Sequence, residues 1–120
     1  MNTKYTWNDF DSDYEKLVKE IKPFLPSIRN IYAIPKSGLI LGVVLSHRLG
    51  VPLILQDDIR EITNETLIVD DMVESGDTLR DFIATHSYFK TAVLIWQAGS
   101  MQPNFYARKK VDNNVILFPW

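Results

Sequence analysis

Cysteine is absent from the 120-residue sequence, and so is any long hydrophobic run. The lack of cysteine excludes disulfide bonds, thiolate zinc sites and cysteine nucleophiles. No apolar stretch approaches the roughly 18 residues that a membrane-spanning helix needs. The first ten residues also lack the apolar core of a signal peptide. We therefore expect a soluble, cytoplasmic protein that has no membrane partner.

A basic excess is also missing. Lysine and arginine together number 13 against 15 aspartates and glutamates, which makes the formal net charge −2. Binding to a nucleic-acid backbone requires clustered basic residues, and the short basic patch at residues 107–110 does not supply them. The chain is 46% hydrophobic and 23% charged, a balance that is ordinary for a globular protein with one core. We expect one domain, residues 1–120, without a nucleic-acid partner.

Apolar strands and helices alternate along the chain. A first helix is expected to begin at the capping candidates Asn8 and Asp9, with apolar residues at helical spacing up to Ile21. A second, apolar helix is expected to end at Gly50. Strands are expected at 30–35, 51–56, 66–71 and 91–97, a third helix at 76–86, and two short terminal strands at 105–110 and 114–120. This order predicts an α/β domain with a Rossmann-like parallel sheet of about four to five strands flanked by helices. The aromatic residues expected in its core are Trp7, Phe82, Phe89, Trp96 and Phe105.

Two adjacent acids, Asp70 and Asp71, follow an apolar strand in the stretch TLIVDDMVESGDTL, residues 66–79. Ligands of parallel sheets bind at the carboxyl ends of the strands, where paired carboxylates can accept hydrogen bonds from a vicinal diol or approach a divalent metal. The next residues lead into a helix start, whose free N–H groups favour an anion, and Ser75 and Thr78 add hydroxyl donors. Gly76 lets the backbone come close to a ligand. The pattern indicates a sugar-phosphate site, or else a capped turn with solvated acids.

Three other motifs do not fit this stretch. A phosphate-binding P-loop requires Gly-Lys-Ser/Thr, and the segment SGDT has no lysine there. A dinucleotide fingerprint requires GxGxxG, which the sequence lacks. A phosphorylation receiver domain carries its acid pair on the first strand, whereas Asp70 follows more than half of the chain.

Several segments resemble the type I phosphoribosyltransferases. The stretch LIVDDMVESGDTL, residues 67–79, is similar to the family signature that binds phosphoribosyl pyrophosphate, and residues 32–53 resemble the family's pyrophosphate loop and the helix after it. The opening YTWNDF and the segments AVLIWQ, PNFYARK and NNVILFPW are similar to bacterial xanthine-guanine phosphoribosyltransferases. The resemblance implies the type I phosphoribosyltransferase fold with a small C-terminal hood.

The resemblance also implies a reaction and residues that bind its phosphorylated substrate. Ribose 5-phosphate would move from phosphoribosyl pyrophosphate to a purine-type base, with release of pyrophosphate. Asp70 and Asp71 would accept the ribose hydroxyls, with Mg²⁺ as the cofactor beside them. A loop with a cis peptide between Lys36 and Ser37 would hold pyrophosphate through Lys36, Ser37 and Gly38. The 5′-phosphate would lie against Ser75, Gly76, Asp77 and Thr78.

The same resemblance implies which residues would contact the purine base. Glu74 stands where purine-using members carry an acid beside the base, which implies a general acid/base; the alternative is a solvated loop acid. Gln97, Val115 and Ile116 would contact the base. The implied partners are small molecules, namely phosphoribosyl pyrophosphate and a purine base or nucleotide, and a second copy of the chain in a homo-oligomer.

The sequence departs from the family pattern in ways that favour a second hypothesis. The connection between the second and third strands is short for a loop that closes over the site. Gln97 replaces a lysine, Val115 replaces a stacking aromatic residue, Asp77 replaces a glycine, and Lys36 replaces an arginine, which loses the fork geometry. These changes favour a non-catalytic module of the same fold that binds a nucleotide or phosphoribosyl pyrophosphate in a sensing or scaffold role.

Overall fold

The first helix starts at a reciprocal cap. The computed structural model describes residues 1–54, 61–73 and 90–120, and its first helix, α1, spans Trp7–Ile21. The Thr6 hydroxyl accepts a hydrogen bond from the Asp9 amide at 3.1 Å, and an Asp9 carboxylate oxygen accepts one from the Thr6 amide at 2.8 Å. The N-cap is therefore Thr6 rather than Asn8 or Asp9, because a cap needs a partner three residues along the chain. A 3₁₀ helix, Lys22–Ser27, continues α1.

Five parallel strands form the central sheet, which confirms the predicted fold class. They are β2 (Asn30–Ala33), β3 (Leu53–Ile54), β4 (Thr66–Val73), β5 (Lys90–Gln97) and β6 (Phe105–Lys110). Their order across the sheet is β3-β2-β4-β5-β6. The chain runs outward from β2 to β3 on one side and from β4 to β5 and β6 on the other. The strand order thus reverses between β2 and β4, which is where open parallel sheets form a ligand crevice.

The second helix, α2 (Leu39–Leu49), connects β2 to β3 and buries Leu41 and Leu45 completely. It ends at Gly50, which has φ 70°, a left-handed conformation that glycine adopts without a steric penalty. This confirms the predicted end of the helix. Gly42 allows α2 to lie directly on the sheet, because a Cβ at this position would be 2.6 Å from the Cβ of Ala33.

A two-stranded parallel ribbon lies apart from the main sheet. It pairs β1 (Asn2–Lys4) with β7 (Val115–Leu117), and the amide of Tyr5 extends the pairing by donating to the Leu117 carbonyl at 2.9 Å. We call this ribbon the hood. The polar sequence of β1 carries no strand pattern, so β1 was not predicted; it forms because β7 offers unpaired backbone groups.

Side-chain burial agrees with the predicted core in part. Phe105 is buried and Trp96 is partly buried, but Trp7 is 52% exposed, so its assignment to the core was wrong. Trp7 is the first residue of α1 and covers the edge of an aromatic cluster instead of filling an interior space. The expected helix at 76–86, with Phe82, and the position of Phe89 lie outside the described residues. No helix in the described ranges has the length and hydropathy to cross a membrane.

Candidate active site

The two adjacent acids lie at the sheet's switch point. Asp70 and Asp71 are in the last half of β4, next to the chain segment that leaves β2. The Ile34 amide donates to the Val69 carbonyl at 2.8 Å, which continues the pairing of the two strands past the end of β2. Asp70 is buried, whereas Asp71 is partly exposed.

Residues 34–38 form a tight loop, called here the 34–38 loop, that presses against this end of β4. The Gly38 amide donates to the Ile34 carbonyl at 2.8 Å and so closes the loop on itself. A Cβ on Gly38 would be 2.5 Å from the Val69 carbonyl oxygen and 3.0 Å from the Asp70 Cα. Only glycine fits this approach, because both neighbours are backbone atoms.

The loop also holds one of the acids directly. The Ser37 hydroxyl donates to Oδ1 of Asp70 at 2.8 Å, and the Asp71 amide donates to the same oxygen at 2.8 Å. The cis peptide of the loop is the Pro35–Lys36 bond, so the sequence-based placement between Lys36 and Ser37 was one residue too late. The resemblance indicated the loop but contained no signal that distinguishes neighbouring bonds.

Burial and proximity perturb both carboxylates. Burial raises the pKa of Asp70 above its ordinary value, and the bonds from Ser37 and the Asp71 amide oppose that rise. Burial, followed by the charge of Asp70, raises the pKa of Asp71 to about 7. The indole Nε1–H of Trp120 donates to Oδ2 of Asp71 at 3.3 Å and acts in the opposite direction. Buried like-charged pairs of this kind favour a proton or a cation between them, and they occur often at functional sites.

A cleft of about 730 Å³ opens beside the acids. One wall comes from the 34–38 loop and the start of α2, and the opposite wall comes from the hood and the residues after it. The lining residues that carry the later argument are Lys36, Ser37, Asp71, Ile116, Phe118 and Trp120. Lys36 is exposed, so a cation is available to an anionic ligand at the end of the sheet where the acids lie. Ser37 is also exposed, but its hydroxyl proton is donated to Asp70.

No protein-family model and no curated protein sequence matches the chain. Solved structures match along its whole length. A purine phosphoribosyltransferase from Pyrococcus horikoshii superposes with a TM-score of 0.83 and 25% identity, over 99% of this chain and 93% of that one. The xanthine-guanine-hypoxanthine phosphoribosyltransferase of Helicobacter pylori gives 0.80 and 18%, over 100% and 93%. A hypothetical protein from Neisseria gonorrhoeae with bound ppGpp gives 0.78 and 19%, over 100% and 90%.

The chain has the fold of the type I phosphoribosyltransferases. The resemblance seen in the sequence is thereby confirmed at the level of the fold, and the hood corresponds to the predicted C-terminal addition.

Within this phosphoribosyltransferase fold, the predicted site residues fall into three groups. Around one cleft the fold assembles Lys36, Ser37, Asp71 and Ile116. Gly38 and Asp70 are buried and adjoin these residues in the chain. Gln97 and Val115 are not among the lining residues of that cleft. The predicted positions Glu74, Ser75, Gly76, Asp77 and Thr78 lie outside the described residues, so their roles stay predictions.

The Gln97 amide is engaged within the protein. Its Nε2 donates to the Lys110 carbonyl at 3.3 Å and to the Asp112 carbonyl at 3.0 Å, and its Oε1 accepts from Lys110 Nζ at 2.8 Å. Lys110 Nζ also pairs with an Asp112 carboxylate oxygen at 3.1 Å. This network ties the end of β5 to the segment that leads into the hood. Both Nε2 hydrogens of Gln97 are thus used within the protein, and its contact with a base stays a prediction.

Trp120 and Phe118 are cleft residues to which sequence reasoning gave no role. The closing Pro-Trp was noted only as a feature of the resemblance. The signal that could have pointed to Trp120 is the indole itself, since an indole beside a buried surface usually donates its N–H to a partner. Which partner it takes depends on how residues 118–120 fold back over β4, and no local pattern specifies that.

Proposed function

We propose that this protein is a phosphoribosyltransferase that moves ribose 5-phosphate from phosphoribosyl pyrophosphate to a purine-type base and releases pyrophosphate. The observation that carries the proposal is the adjacent carboxylate pair, Asp70 and Asp71, at the switch point beside the 34–38 loop. The similarity to the Pyrococcus purine phosphoribosyltransferase along 99% of the chain supports the same class of reaction.

The carboxylate pair suits the sugar. Vicinal ribose hydroxyls are donors, and each carboxylate oxygen can accept more than one hydrogen bond. Ser37 and the Asp71 amide hold Asp70 in place before any ligand arrives, so the acceptor geometry does not have to be organised on binding. Reactions of this type depend mainly on such positioning and on fixed charges.

The proposed reaction is a displacement at C1 of the ribose. A nitrogen lone pair of the base forms the new bond to C1, while the bond from C1 to the pyrophosphate oxygen breaks and pyrophosphate leaves with the electron pair. The proton on the attacking nitrogen passes to Glu74 as general base. Lys36, exposed at the cleft, would place a positive charge near the departing pyrophosphate. Ser37 lines the same cleft, and Gly38 allows the loop that carries both residues to pack on β4.

The acid pair also fits Mg²⁺. This ion binds through one or two carboxylates together with substrate phosphates, and Asp70 and Asp71 are the residues that would hold it here. Their mutual repulsion, which contributes to the raised pKa of Asp71, is relieved by a neighbouring cation. The described ranges contain no group of three or more side chains that could hold a metal ion. Substrate phosphates would therefore supply the remaining ligands. When bound, Mg²⁺ would neutralise charge on the leaving pyrophosphate.

A base panel tests the proposal. The purified protein is mixed with Mg²⁺, phosphoribosyl pyrophosphate and guanine, xanthine, hypoxanthine or adenine in turn, and nucleotide and pyrophosphate are measured together. We expect both products in equal amounts from at least one purine. The matched control is the protein with Asp70→Asn and Asp71→Asn, which should form neither. Equal product formation by this control would mean that the acids are not the site.

A second candidate is a non-catalytic binding module of the same fold. Two observations favour it: the connection between β3 and β4 spans only residues 55–65, and the Gln97 amide is already paired within the protein. The similar Neisseria structure contains ppGpp, a ligand class that such a module could share. Calorimetry with phosphoribosyl pyrophosphate, GMP and ppGpp separates the candidates. Binding without product from any base supports the module, and product formation excludes it.

A further inference from the structure

The strongest unexplained contact at the cleft joins Trp120 to Asp71. The indole Nε1–H donates to Asp71 Oδ2 at 3.3 Å, and both side chains line the cleft together with Lys36 and Ser37. Asp70 is held by different donors, namely the Ser37 hydroxyl and the Asp71 amide. The two neighbouring acids are thus held from opposite walls of the cleft, one by the 34–38 loop and one by Trp120.

The Trp120 ring is fixed by other aromatic rings. It stacks on Phe118 with ring centroids 4.9 Å apart and an angle of 18° between planes. Trp7, Phe10 and Tyr5 contact it at centroid distances of 5.5, 5.4 and 6.1 Å. Rings in these arrangements attract one another beyond simple burial. A side chain held on several sides keeps its polar atom in one direction, here toward Asp71.

We propose that Trp120 is a positioning residue for the sugar subsite, whose indole N–H holds the Asp71 carboxylate in the orientation that receives the ribose hydroxyls. This inference rests on the proposed function, because it takes the ligand of Asp71 to be a ribose. The aromatic cluster around Trp120 then has a role beyond packing, because it fixes the ring whose N–H holds Asp71.

Two ligands separate positioning from general damage to the site. Phosphoribosyl pyrophosphate contains the ribose hydroxyls, whereas inorganic pyrophosphate does not. Both are titrated by calorimetry without Mg²⁺, because the ion would join pyrophosphate to Asp71. Trp120→Phe keeps a ring in the cluster but removes the donor. We expect it to bind phosphoribosyl pyrophosphate roughly tenfold more weakly, the size expected for losing one hydrogen bond to a charged group. Its affinity for pyrophosphate should be unchanged.

Four further proteins complete the design. Trp7→Phe removes an indole from the same cluster without touching Asp71, and it should bind both ligands normally. Replacement of Trp120 by 3-benzothienylalanine keeps the bicyclic shape without the N–H, so it should reproduce the loss even if the phenylalanine variant folds poorly. In an Asp71→Ala background, which removes the acceptor, Trp120→Phe should cause no additional loss, because a residue that acts only through Asp71 has nothing left to position.

The outcomes are distinct. The inference is supported if the Trp120 replacements weaken binding of the sugar ligand alone, if Trp7→Phe does not, and if Trp120→Phe causes no further loss in the Asp71→Ala protein. Unchanged sugar-ligand affinity in both Trp120 replacements overturns it and leaves the proposed function intact. An equal loss for both ligands also overturns it, since Trp120 would then act only on the fold. If the unsubstituted protein binds no phosphoribosyl pyrophosphate either with or without Mg²⁺, the proposed function fails, and this inference fails with it.

Discussion

Gly38→Ala tests whether the close fit between the 34–38 loop and β4 forms the site. The added Cβ would be 2.5 Å from the Val69 carbonyl oxygen, about 0.9 Å short of the 3.4 Å at which ordinary contact begins, and 2.9 Å from the Ile34 carbonyl oxygen. Both neighbours are backbone atoms in paired segments, so the loop itself must shift. Overpacking of this kind costs about 1–3 kcal/mol of the free energy of unfolding.

The same shift should reach the ligand. Ser37 precedes Gly38 and donates to Asp70 at 2.8 Å, and displacement by about 1 Å breaks a hydrogen bond of that length. Misplacement of this size can lower catalytic efficiency by about a hundredfold. Urea unfolding measures the stability of the variant, and calorimetry with inorganic pyrophosphate measures its affinity for the loop's expected ligand.

Gly42→Ala is the matched control for Gly38→Ala. Its Cβ would meet the Ala33 Cβ at 2.6 Å, a comparable clash at the contact between α2 and β2, away from the cleft lining. We expect it to lower stability by a similar amount while ligand affinity stays normal. If Gly38→Ala unfolds like the original protein, or if both variants lose affinity equally, the close fit is not what organises the loop.

Three further predictions concern charged side chains. Asp70→Asn combined with Asp71→Asn should abolish the thermal shift caused by phosphoribosyl pyrophosphate and Mg²⁺, as measured by differential scanning fluorimetry, because the ribose acceptors are lost. In the absence of metal and ligand, the urea midpoint should fall as the pH rises from about 4 to about 7. The raised pKa of Asp71, about 7 in the folded state, means that the folded protein holds a proton there that the unfolded chain releases, so rising pH favours unfolding. Asp13→Ala should lower the free energy of unfolding by about 2 kcal/mol in urea titrations. The buried Asp13 carboxylate accepts from Tyr5 at 2.6 Å and from Arg108 at 2.7 Å, so the substitution leaves the Tyr5 hydroxyl without that partner and leaves Arg108 with Asp9.

Each of these predictions has a control. Circular dichroism must show that the doubly substituted protein stays folded, and a ligand-induced shift that persists in it would contradict the site. The slope of stability with pH should decrease in Asp71→Asn; a slope that is the same in both proteins would assign it to other groups. Asp11→Ala, at an exposed position of the same helix as Asp13, should change stability by no more than about 0.5 kcal/mol.

Local patterns were enough to predict the sheet and its active edge. Apolar runs such as residues 67–69 become parallel strands because both faces are covered in such a fold, and the acids after them mark the carboxyl edge. Gly50 ends α2 because a left-handed residue is required there. In each case, neighbours within a few positions supply the physical reason, so the sequence indicates it directly.

Contacts between distant segments were not predictable in this way. The strand β1 exists only through pairing with β7. Trp7 is 52% exposed, and one ring that covers part of it belongs to Trp120, more than a hundred positions along the chain. The internal pairing of Gln97 depends on the register of β5 with β6, which sets Gln97 opposite Lys110. Sequence reasoning treated such side chains as independent and therefore missed how they constrain one another.

By itself, the sequence determined that an α/β sheet would place two adjacent acids at its carboxyl edge, since strand period, helix caps and the order of elements are local properties of the chain. Only the tertiary structure decided how the acids are held: Asp70 by Ser37 across the switch point, and Asp71 by Trp120 across the cleft. Those bonds join positions 33 and 49 residues apart. Their geometry follows from the packing of the whole fold, because no short segment contains both partners.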